Sequence, residues 1–246
     1  MEEKIFNNHL EQFMSDVIKE RPEFSEYALY PCLNDDTLST GFDEHYIYHV
    51  AWAIKKILQN KPAHHVDVSS SLNFCTAICS TIPTTFIDYR PAQLYLDQLT
   101  CVQGDLTVDF AWENIKYESL SCMHVIEHIG LGRYGDLLDV NGDIKAMKNL
   151  IKSVSQKGRL LLVVPIGKPK IFFNAHRVYS ASWIKTFFEN FFKLNEFYFI
   201  PSINGLKPII NCDLSYTENF DYGCGCFEFI ERNDLDPKSN NLFTSI

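Results

Sequence analysis

The sequence has no run of about 18 apolar residues, the length that a membrane-spanning helix needs. Its first residues, MEEKIFNNHLEQFMSDVIKE, carry acids where a secretory signal has a basic segment, and they contain no apolar core. Basic residues are also few, since 22 Lys and Arg stand against 31 Asp and Glu, for a formal net charge of -9. This balance disfavours broad binding to nucleic acid or to an anionic membrane. We therefore expect a cytoplasmic protein with a small-molecule partner.

The eight cysteines fit no compact disulfide framework, so we expect reduced thiols. Cys224 and Cys226, in YGCGCFEFIE, are spaced like half of a metal site, but no second Cys/His pair nearby supplies two further ligands. The stretch also reads as a strand with its phenylalanines on one face and the cysteines on the other, where Glu228 predicts only partial burial. We favour packing for this pair, and for Cys75 and Cys79 on a predicted helix, and we predict no metal site.

A chain of 246 residues with 46% hydrophobic residues can bury one large core. We therefore predict a single domain over residues 1–246. Segments 1–20 and 45–60 have helical apolar spacing and are separated by a proline-containing linker, which predicts an N-terminal helical cap over residues 1–60. The core follows over residues 61–235, and the polar residues 236–246 form a tail.

From residue 64 onward, short β-rich runs alternate with segments of helical length. The predicted strands are HHVDV (64–68), TTFIDY (84–89), LTCVQGD (99–105), LSCMHVI (120–126), GRLLLVVPI (158–166), FKLNEFYFI (192–200) and GCFEFIER (225–232). The predicted helices between them are 71–80, 91–98, 143–155 and 180–190. This alternation predicts an α/β fold, a Rossmann-like, seven-stranded and mostly parallel sheet with helices on both faces.

Polar residues follow the first three strands, at the edge where open α/β sheets bind ligands. The first loop, DVSSSLNF, contains Ser69 and no glycine. Asp88 ends the second strand and is placed to accept hydrogen bonds from the two ribose hydroxyls of an adenosine. Asp105 can accept a bond from the adenine amino group, while the Leu106 amide offers a donor to a ring nitrogen. Together these positions predict an adenosyl ligand, whereas each acid alone is as typical of a helix cap or a solvated strand end.

A nicotinamide dinucleotide is the competing ligand. Its pyrophosphate needs a glycine-rich turn of the form GxGxxG, which the first loop lacks. S-adenosylmethionine carries no phosphate, so its loop has only to let a methionine tail pass. We therefore favour S-adenosylmethionine, with S-adenosylhomocysteine as the product, over a nicotinamide cofactor.

Several motifs together resemble the class I S-adenosylmethionine-dependent methyltransferases over residues 64–232. The motifs HVDVSSS, FIDYRP, SLSCMHVIEHIGLGRYGD, GDIKAMKNL, VVPIG and FNAHRVYS are similar to a methyltransferase-like family with bacterial members linked to surface (capsular) polysaccharide biosynthesis. The resemblance implies a last strand that is antiparallel. Ser69 stands where most class I enzymes have a glycine, and a serine can take this place if its φ is negative. The predicted cofactor-binding residues are Asp67, Ser69, Ser71, Asp88, Asp105 and Leu106.

The stretch SCMHVIEHIGLGRYGD (121–136) concentrates titratable side chains after the fourth strand. Methyl transfer is an in-line displacement at an activated carbon, so the protein has to align the acceptor and remove its proton. His124 ends the strand and is the preferred general base, because histidine titrates near neutrality. Glu127 and His128 are acceptor-site candidates, and the competing interpretation is that they bond to the backbone or to each other.

Two further segments supply candidate residues for the acceptor site. The loop GLGRYGD carries Arg133, Tyr134 and Asp136, and the alternative is that it is an ordinary connection. After the fifth strand, FNAHRVYS supplies His176 as a competing base and Arg177 as a clamp for an anionic acceptor.

Two pairs of residues outside these segments are weaker candidates. Lys168 and Lys170 add positive charge near His176 or form a solvated basic loop. Tyr46 and His49, one helical turn apart, cover the pocket or pack in the core with polar tips.

The sequence therefore predicts a methyltransferase that methylates an oxygen of a sugar or phosphate-bearing precursor of a surface polysaccharide. The alternative is a catalytically silent methyltransferase-like binding protein. A nicotinamide enzyme is disfavoured by the missing glycines.

Overall fold

The computed structural model of the chain contains an eight-stranded sheet, and its short strands are rich in β-branched residues. The structure describes residues 3–108, 116–203 and 205–231, so the predicted tail lies outside it. The strands are β1 (His65–Val68), β2 (Thr84–Asp88), β3 (Leu99–Gln103), β4 (Tyr117–Met123), β5 (Val154–Ile166), β6 (Lys170–Phe172), β7 (His176–Val178), β8 (Phe192–Pro201), β9 (Ile209–Ile210) and β10 (Gly223–Glu231). The helices are α1 (Glu3–Glu20), α2 (Glu44–Asn60), α3 (Leu72–Cys79), α4 (Gly142–Ser153) and α5 (Ala181–Phe188).

The sheet has the strand order β3-β2-β1-β4-β5-β10-β8-β9, and β6 and β7 form a separate hairpin. Strands β1 to β5 are parallel, and β10 lies antiparallel between β5 and β8. This arrangement confirms the predicted α/β sheet and its antiparallel last strand.

The strand count differs from the predicted seven because Ile209 and Ile210 form an eighth strand, β9, along the edge of β8. Two residues are too few to show the alternation by which strands are predicted.

One predicted helix is wrong. Residues 91–98 form a loop between β2 and β3 rather than a crossover helix. The apolar residues Leu94, Tyr95 and Leu96 are consecutive instead of spaced by three or four, and Tyr95 is 92% exposed. Without a buried stripe on one face, a helix of this length gains no packing energy.

The central strands bury both faces of the sheet. Phe227 and Phe229 of β10 lie in the core cluster that includes α4 and α5, whereas Cys224 and Cys226 lie in the cluster that includes α2 and α3. This confirms the predicted two-faced strand and the helices on both sides of the sheet. All eight cysteines are free thiols.

The chain divides into two compact units, Met1–Phe42 and Asp43–Ile246. The first contains α1 and a short 3-10 helix, Pro22–Phe24. The structure groups α2 with the sheet instead of with the predicted cap. The single domain over residues 1–246 stays a prediction. None of the helices in the described part of the chain is long and apolar enough to cross a membrane.

Helix α2 packs on the sheet through an apolar stripe and buried ion pairs. The Asp43 carboxylate accepts a hydrogen bond from the Tyr46 N–H and so caps the first turn of α2. The Lys56 ammonium lies 3.1 Å from a Glu228 carboxylate oxygen, and the Arg159 guanidinium lies 2.8 Å from the other. Glu228 is only 1% exposed, so the face that was predicted to be partly buried is closed, and its carboxylate is neutralised by two cations.

We expect Glu228→Gln to lower the free energy of unfolding by about 2–3 kcal/mol, because it removes the counter-charge of Arg159 and leaves Lys56 with Glu196 alone, 2.7 Å away. Burial raises the pKa of Glu228, but the Asn195 amide and the Lys56 ammonium lower it by more, so the pKa lies below its usual value. The stabilisation is therefore complete above the unfolded-state pKa and is lost as pH falls through the folded-state pKa. Urea unfolding at several pH values measures both effects.

The matched control is Glu118→Gln, which removes an exposed strand carboxylate and should change stability by less than about 0.5 kcal/mol. Equal effects of the two substitutions would show that the buried ion pairs do not stabilise the packing of α2.

Candidate active site

The carboxyl ends of β1 and β4 lie side by side at the point where the chain order of the sheet reverses, which is the usual ligand site of an open α/β sheet. Each strand is followed by a non-glycine residue in the left-handed region, Ser69 with φ 54° and His124 with φ 57°. Such a conformation costs an ordinary residue roughly 1–2 kcal/mol. The condition of a negative φ at Ser69 is therefore not met, and the serine adopts the conformation that glycine favours.

Hydrogen bonds to neighbouring strands hold both residues in this conformation. The Ser69 N–H and hydroxyl donate to the Ile87 carbonyl at 2.8 and 3.1 Å. The His124 N–H donates to the Val163 carbonyl at 2.8 Å. Because the Ser69 hydroxyl donates to the protein itself, its proton points away from any ligand in this arrangement.

A buried polar network supports the first loop from beneath. The Asp67 carboxylate accepts hydrogen bonds from the Ser121 hydroxyl and from the Ser70 N–H, and the Ser121 hydroxyl also contacts His65 at 2.9 Å. The Ser70 hydroxyl accepts the Met123 N–H and ties the loop to β4. Burial raises the pKa of Asp67 to about 7 and lowers that of His65 to about 3.

A first cavity of about 480 Å³, the β1–β4 cavity, lies above these strand ends. The lining residues include the predicted Ser69, Asp88, Asp105 and Leu106, together with Tyr89, Arg90, Thr107, His124, His128, Tyr134 and Asp136. Asp67 and Ser71, also predicted to bind cofactor, are not among the residues that line it. Asp67 is wholly buried in the network, and Ser71 caps α3 by accepting the Phe74 N–H.

Local hydrogen bonds orient the two acids of this cavity. Asp88 accepts the Arg90 N–H at 2.6 Å. Asp105 accepts the N–H and hydroxyl of Thr107 at 2.8 and 2.7 Å. Both carboxylates are thereby fixed at the edge of the cavity where an adenosyl group would lie.

The loop 130–136 closes one side of this cavity and is held by Asp136. Its carboxylate accepts the N–H groups of Gly130, Gly132 and Tyr134 at 2.7, 3.2 and 3.1 Å. Burial would raise the pKa of Asp136, but these donors lower it below its usual value. Gly130 has φ 81°, and a Cβ there would lie 2.0 Å from the Asp139 carbonyl oxygen, so the turn requires glycine.

A second cavity of about 560 Å³, the histidine cavity, adjoins the first. His124, His128 and Tyr134 line both cavities and form their common wall. The other residues that line the histidine cavity are Asp43, Glu44, His45, Tyr46, Glu127, Arg133, Pro165, His176, Ser202 and Tyr222. The predicted acceptor-site residues Glu127, His128, Arg133 and Tyr134 are therefore brought together here, with Tyr46.

Both ring nitrogens of His124 already have partners. Nδ1 lies 2.9 Å from a Glu127 carboxylate oxygen, and Nε2 lies 3.5 Å from the Cys224 sulfur. Burial lowers the pKa of His124, but the Cys224 sulfur and the Glu127 carboxylate raise it more, so the net shift is upward. The alternative of a bond to the backbone is met by His128, whose Nδ1 lies 2.6 Å from the Ala175 carbonyl. Glu127 and His128 do not bond to each other, since the two side chains are 3.8 Å apart.

His176 has the opposite environment. It is the first residue of β7 and lines the histidine cavity, and its Nε2 is buried without a hydrogen-bond partner among the described residues. Burial lowers the pKa of His176, and the neighbouring His128 and Arg133 lower it as well, whereas Glu127 opposes the shift. At neutral pH His176 is thus a neutral imidazole whose Nε2 is buried and has no hydrogen-bond partner among the described residues.

Arg177, predicted to clamp the acceptor, is instead part of the buried framework. It is 7% exposed, and its guanidinium donates to the carbonyls of Glu127 and Ile129 and lies 3.5 Å from Asp143. In a strand, neighbouring side chains point to opposite sides, so Arg177 turns away when His176 faces the cavity. Arg133 is the guanidinium that lines the histidine cavity.

Of the four weaker candidates, Lys168, Lys170, Tyr46 and His49, only Tyr46 lines the histidine cavity. Lys168 forms an exposed ion pair with Asp221, and Lys170 lies over the Phe172 ring. Tyr46 lines the histidine cavity, whereas His49 is wholly buried behind it.

Sequence reasoning missed His45, Ser202 and Tyr222 in the histidine cavity. Most predicted site residues follow parallel strands, and of the α2 residues the prediction includes Tyr46 and His49 but not His45. An antiparallel strand brings its amino end to the same edge, so the predicted orientation of β10 was the signal for Tyr222 and Cys224. Ser202 directly follows β8 and could have been found by the rule used for the other strands.

The comparisons with known proteins agree with this architecture. Residues 86–199, less than half of the chain, match the family described as Caenorhabditis protein of unknown function, DUF268. No curated protein matches the sequence.

Solved structures are similar at low sequence identity. The N-methyltransferase NodS from Bradyrhizobium japonicum WM9, in complex with S-adenosylhomocysteine, has a TM-score of 0.55 at 11% identity over 81% of this chain and 93% of its own. The Burkholderia thailandensis 1,6-didemethyltoxoflavin-N1-methyltransferase, with bound 1,6-didemethyltoxoflavin and S-adenosylhomocysteine, scores 0.53 at 8% identity over 92% and 90%. The [4+2]-cyclase SpnF scores 0.51 at 9% identity over 74% and 80%. The fold is therefore that of the class I S-adenosylmethionine-dependent methyltransferases.

The conformation of Ser69 can be tested by comparing two substitutions. Both Ser69→Gly and Ser69→Ala remove the hydroxyl, but only glycine adopts a positive φ without strain, so the glycine variant should be more stable by about 1 kcal/mol. Chemical unfolding of the two variants measures the difference.

Ser70, the next residue, is the control because it has no positive φ. There Ser70→Gly should be less stable than Ser70→Ala by roughly 0.5–1 kcal/mol. If alanine were also the more stable residue at position 69, the left-handed conformation would be refuted.

Proposed function

We propose that this protein is an S-adenosylmethionine-dependent methyltransferase that methylates a hydroxyl oxygen of a small polar acceptor. The observation that carries the proposal is the meeting of two cavities at the switch point of the sheet, with His124, His128 and Tyr134 as their common wall. Two adjoining cavities suit a reaction in which a group passes from one bound molecule to another.

The β1–β4 cavity suits the adenosyl half of the cofactor. Asp88 lies where it can accept bonds from the ribose hydroxyls, and Asp105 and Leu106 line the position for adenine. Because the Ser69 hydroxyl is bonded to Ile87, we assign the contacts of the first loop with the methionine tail to its backbone. When bound, the cofactor supplies a methyl carbon that its sulfonium has already activated.

His176 is the proposed general base. Both nitrogens of His124, the base preferred from sequence, are engaged by Glu127 and Cys224, whereas His176 Nε2 has no partner among the described residues. After a ring rotation that brings Nε2 to the cavity, His176 would accept the proton of the acceptor hydroxyl. The oxygen would then gain the methyl carbon as its bond to the cofactor sulfur breaks, and S-adenosylhomocysteine would leave. His124, which is held by Glu127, forms part of the wall between the two cavities.

The residues of the histidine cavity favour a hydroxylated acceptor. The Tyr46 and Tyr222 rings offer flat faces for the apolar side of a sugar, and Ser202 and the histidines offer polar partners. Arg133 can bind a phosphate on such an acceptor. A sugar or sugar phosphate is therefore the proposed acceptor class, and its place in surface-polysaccharide biosynthesis rests on the motif resemblance alone.

The cofactor can be tested without an acceptor. We expect calorimetric titration with S-adenosylmethionine and S-adenosylhomocysteine to give micromolar binding, and Asp88→Ala to weaken it at least about tenfold, because a charge-assisted bond contributes about 1.5–3 kcal/mol.

Asp97→Ala is the matched control, since Asp97 is an exposed acid in the same β2–β3 connection and should leave affinity unchanged. If neither ligand binds, the silent binding protein becomes the better interpretation.

The base can be tested with radiolabelled cofactor and a panel of sugars and sugar phosphates. With an active acceptor, His176→Ala should reduce kcat by about 10²- to 10⁴-fold while KM changes little. The charged and titratable groups around His176 are Glu127, His128, Arg133, His124 and Tyr222. Because the pKa of His176 is lowered, kcat should stay constant through neutral pH and fall only below the ordinary histidine value of about 6.5.

His64→Ala, at an exposed histidine before β1, is the control and should leave kcat unchanged. A kcat within about threefold of the wild type in His176→Ala would rule out this base.

A further inference from the structure

Three side chains from distant parts of the sequence converge at one side of the histidine cavity. His45 comes from the first turn of α2, His124 follows β4, and Cys224 is near the start of β10. One ring nitrogen of each histidine and the cysteine sulfur lie within 4.8 Å of one another. Cys224 is wholly buried, whereas both histidines line the cavity.

The separation of two of these atoms fits metal coordination. A tetrahedral ion with bonds of about 2.0–2.1 Å to nitrogen and about 2.3 Å to sulfur holds the two atoms about 3.6 Å apart. His124 Nε2 and Cys224 Sγ are 3.5 Å apart. A small closing movement of His45 would complete a three-ligand site.

The hydrogen bond from His124 to Glu127 is the second observation. Metal-bound histidines usually donate their other ring N–H to a carboxylate, which fixes the tautomer and the ring orientation. His124 Nδ1 lies 2.9 Å from Glu127 Oε1, so Nε2, which lies 3.5 Å from Cys224 Sγ, is the ring nitrogen left for a metal ion. The His45 ring is held as well, since its Nε2 lies 2.7 Å from the Ser202 hydroxyl.

An unsatisfied buried nitrogen lies next to the cluster. His49 is wholly buried, its ring packs edge-on against His124 with centroids 5.1 Å apart, and its Nε2 has no partner among the described residues. A buried polar atom without a partner is costly, and a metal ion with its bound water would offer one.

We propose that His45, His124 and Cys224 bind a zinc-type divalent ion at the wall of the histidine cavity. Two imidazoles and one thiolate are the donor set of borderline transition metals rather than of Mg²⁺ or Ca²⁺. Cys224 lies behind the two histidines, so the fourth position of a tetrahedral ion opens toward the cavity. Three protein ligands with one open position are typical of catalytic rather than structural zinc sites.

This site lies beyond the proposed methyl transfer and does not depend on it. The cofactor contacts of Asp88 and Asp105 are on the far side of the wall. Metal binding and cofactor binding can therefore fail separately. The competing interpretation is a hydrogen-bonded cluster of Cys224 with His124 that has no affinity for metals.

The test is titration of the chelator-treated full-length protein with Co²⁺, whose thiolate and tetrahedral complexes absorb in the near-ultraviolet and visible ranges. We expect one Co²⁺ per chain with a thiolate charge-transfer band, and we expect Zn²⁺ to displace it. Cys224→Ser should abolish the band, and His45→Ala should weaken binding by at least about tenfold. His45→Ala keeps the test valid if Cys224→Ser does not fold.

Matched controls are Cys101→Ser, a half-buried cysteine on β3, and His64→Ala, both of which should bind Co²⁺ like the wild type. Absence of a stoichiometric thiolate band in the wild type would overturn the proposal. So would a band that persists in Cys224→Ser or that is lost equally in Cys101→Ser.

Discussion

The candidate active site depends on the hydrogen bond between the Ser121 hydroxyl and the Asp67 carboxylate. This bond joins β1 to β4 at the point where the chain order of the strands reverses. Through Ser70, the same carboxylate holds the first loop. The loop in turn supports Ser69, and the end of β4 supports His124. A polar bond of this kind is strong in a buried environment, and both residues are fully buried. The strained conformations at the two strand ends persist because this framework and the bonds to Ile87 and Val163 fix the backbone around them.

The order of elements could be predicted because each strand carries its own signal in the sequence. Residues 160–166 of β5 are a continuous apolar run, and β10 alternates between faces, so the existence of both strands follows from local pattern. The positions of Asp88 and Asp105 followed as well, because in a parallel sheet the residue after a strand lies at the ligand edge. The roles of Ser71 and Asp136 could not be separated from ligand binding, since capping a turn and contacting a ligand require the same residue types.

The rest of the site depends on long-range geometry that no local pattern encodes. Residues His124 and Cys224 are 100 positions apart and meet only because β10 runs antiparallel beside β5. Whether His176 or Arg177 faces the cavity depends on which face of β7 turns inward. A three-residue strand gives no periodicity from which to predict this. The positive φ of Ser69 likewise arises from its bonds to Ile87 rather than from its residue type.

The β6–β7 hairpin carries His176 outside the eight-stranded sheet. Among the described residues, a bridge between Ile166 and Tyr179 joins the chain beside the hairpin to β5, and Arg177 of β7 bonds to the segment that follows β4. The hairpin and the Asp88 and Asp105 strand ends are thus separate parts of the architecture. Ala175 and Arg177 of the hairpin segment nevertheless bond to His128 and to the Glu127 and Ile129 carbonyls, close to the wall that the two cavities share. A substitution in residues 170–178 can therefore change the shape of both cavities at once, although this segment lies outside the eight-stranded sheet.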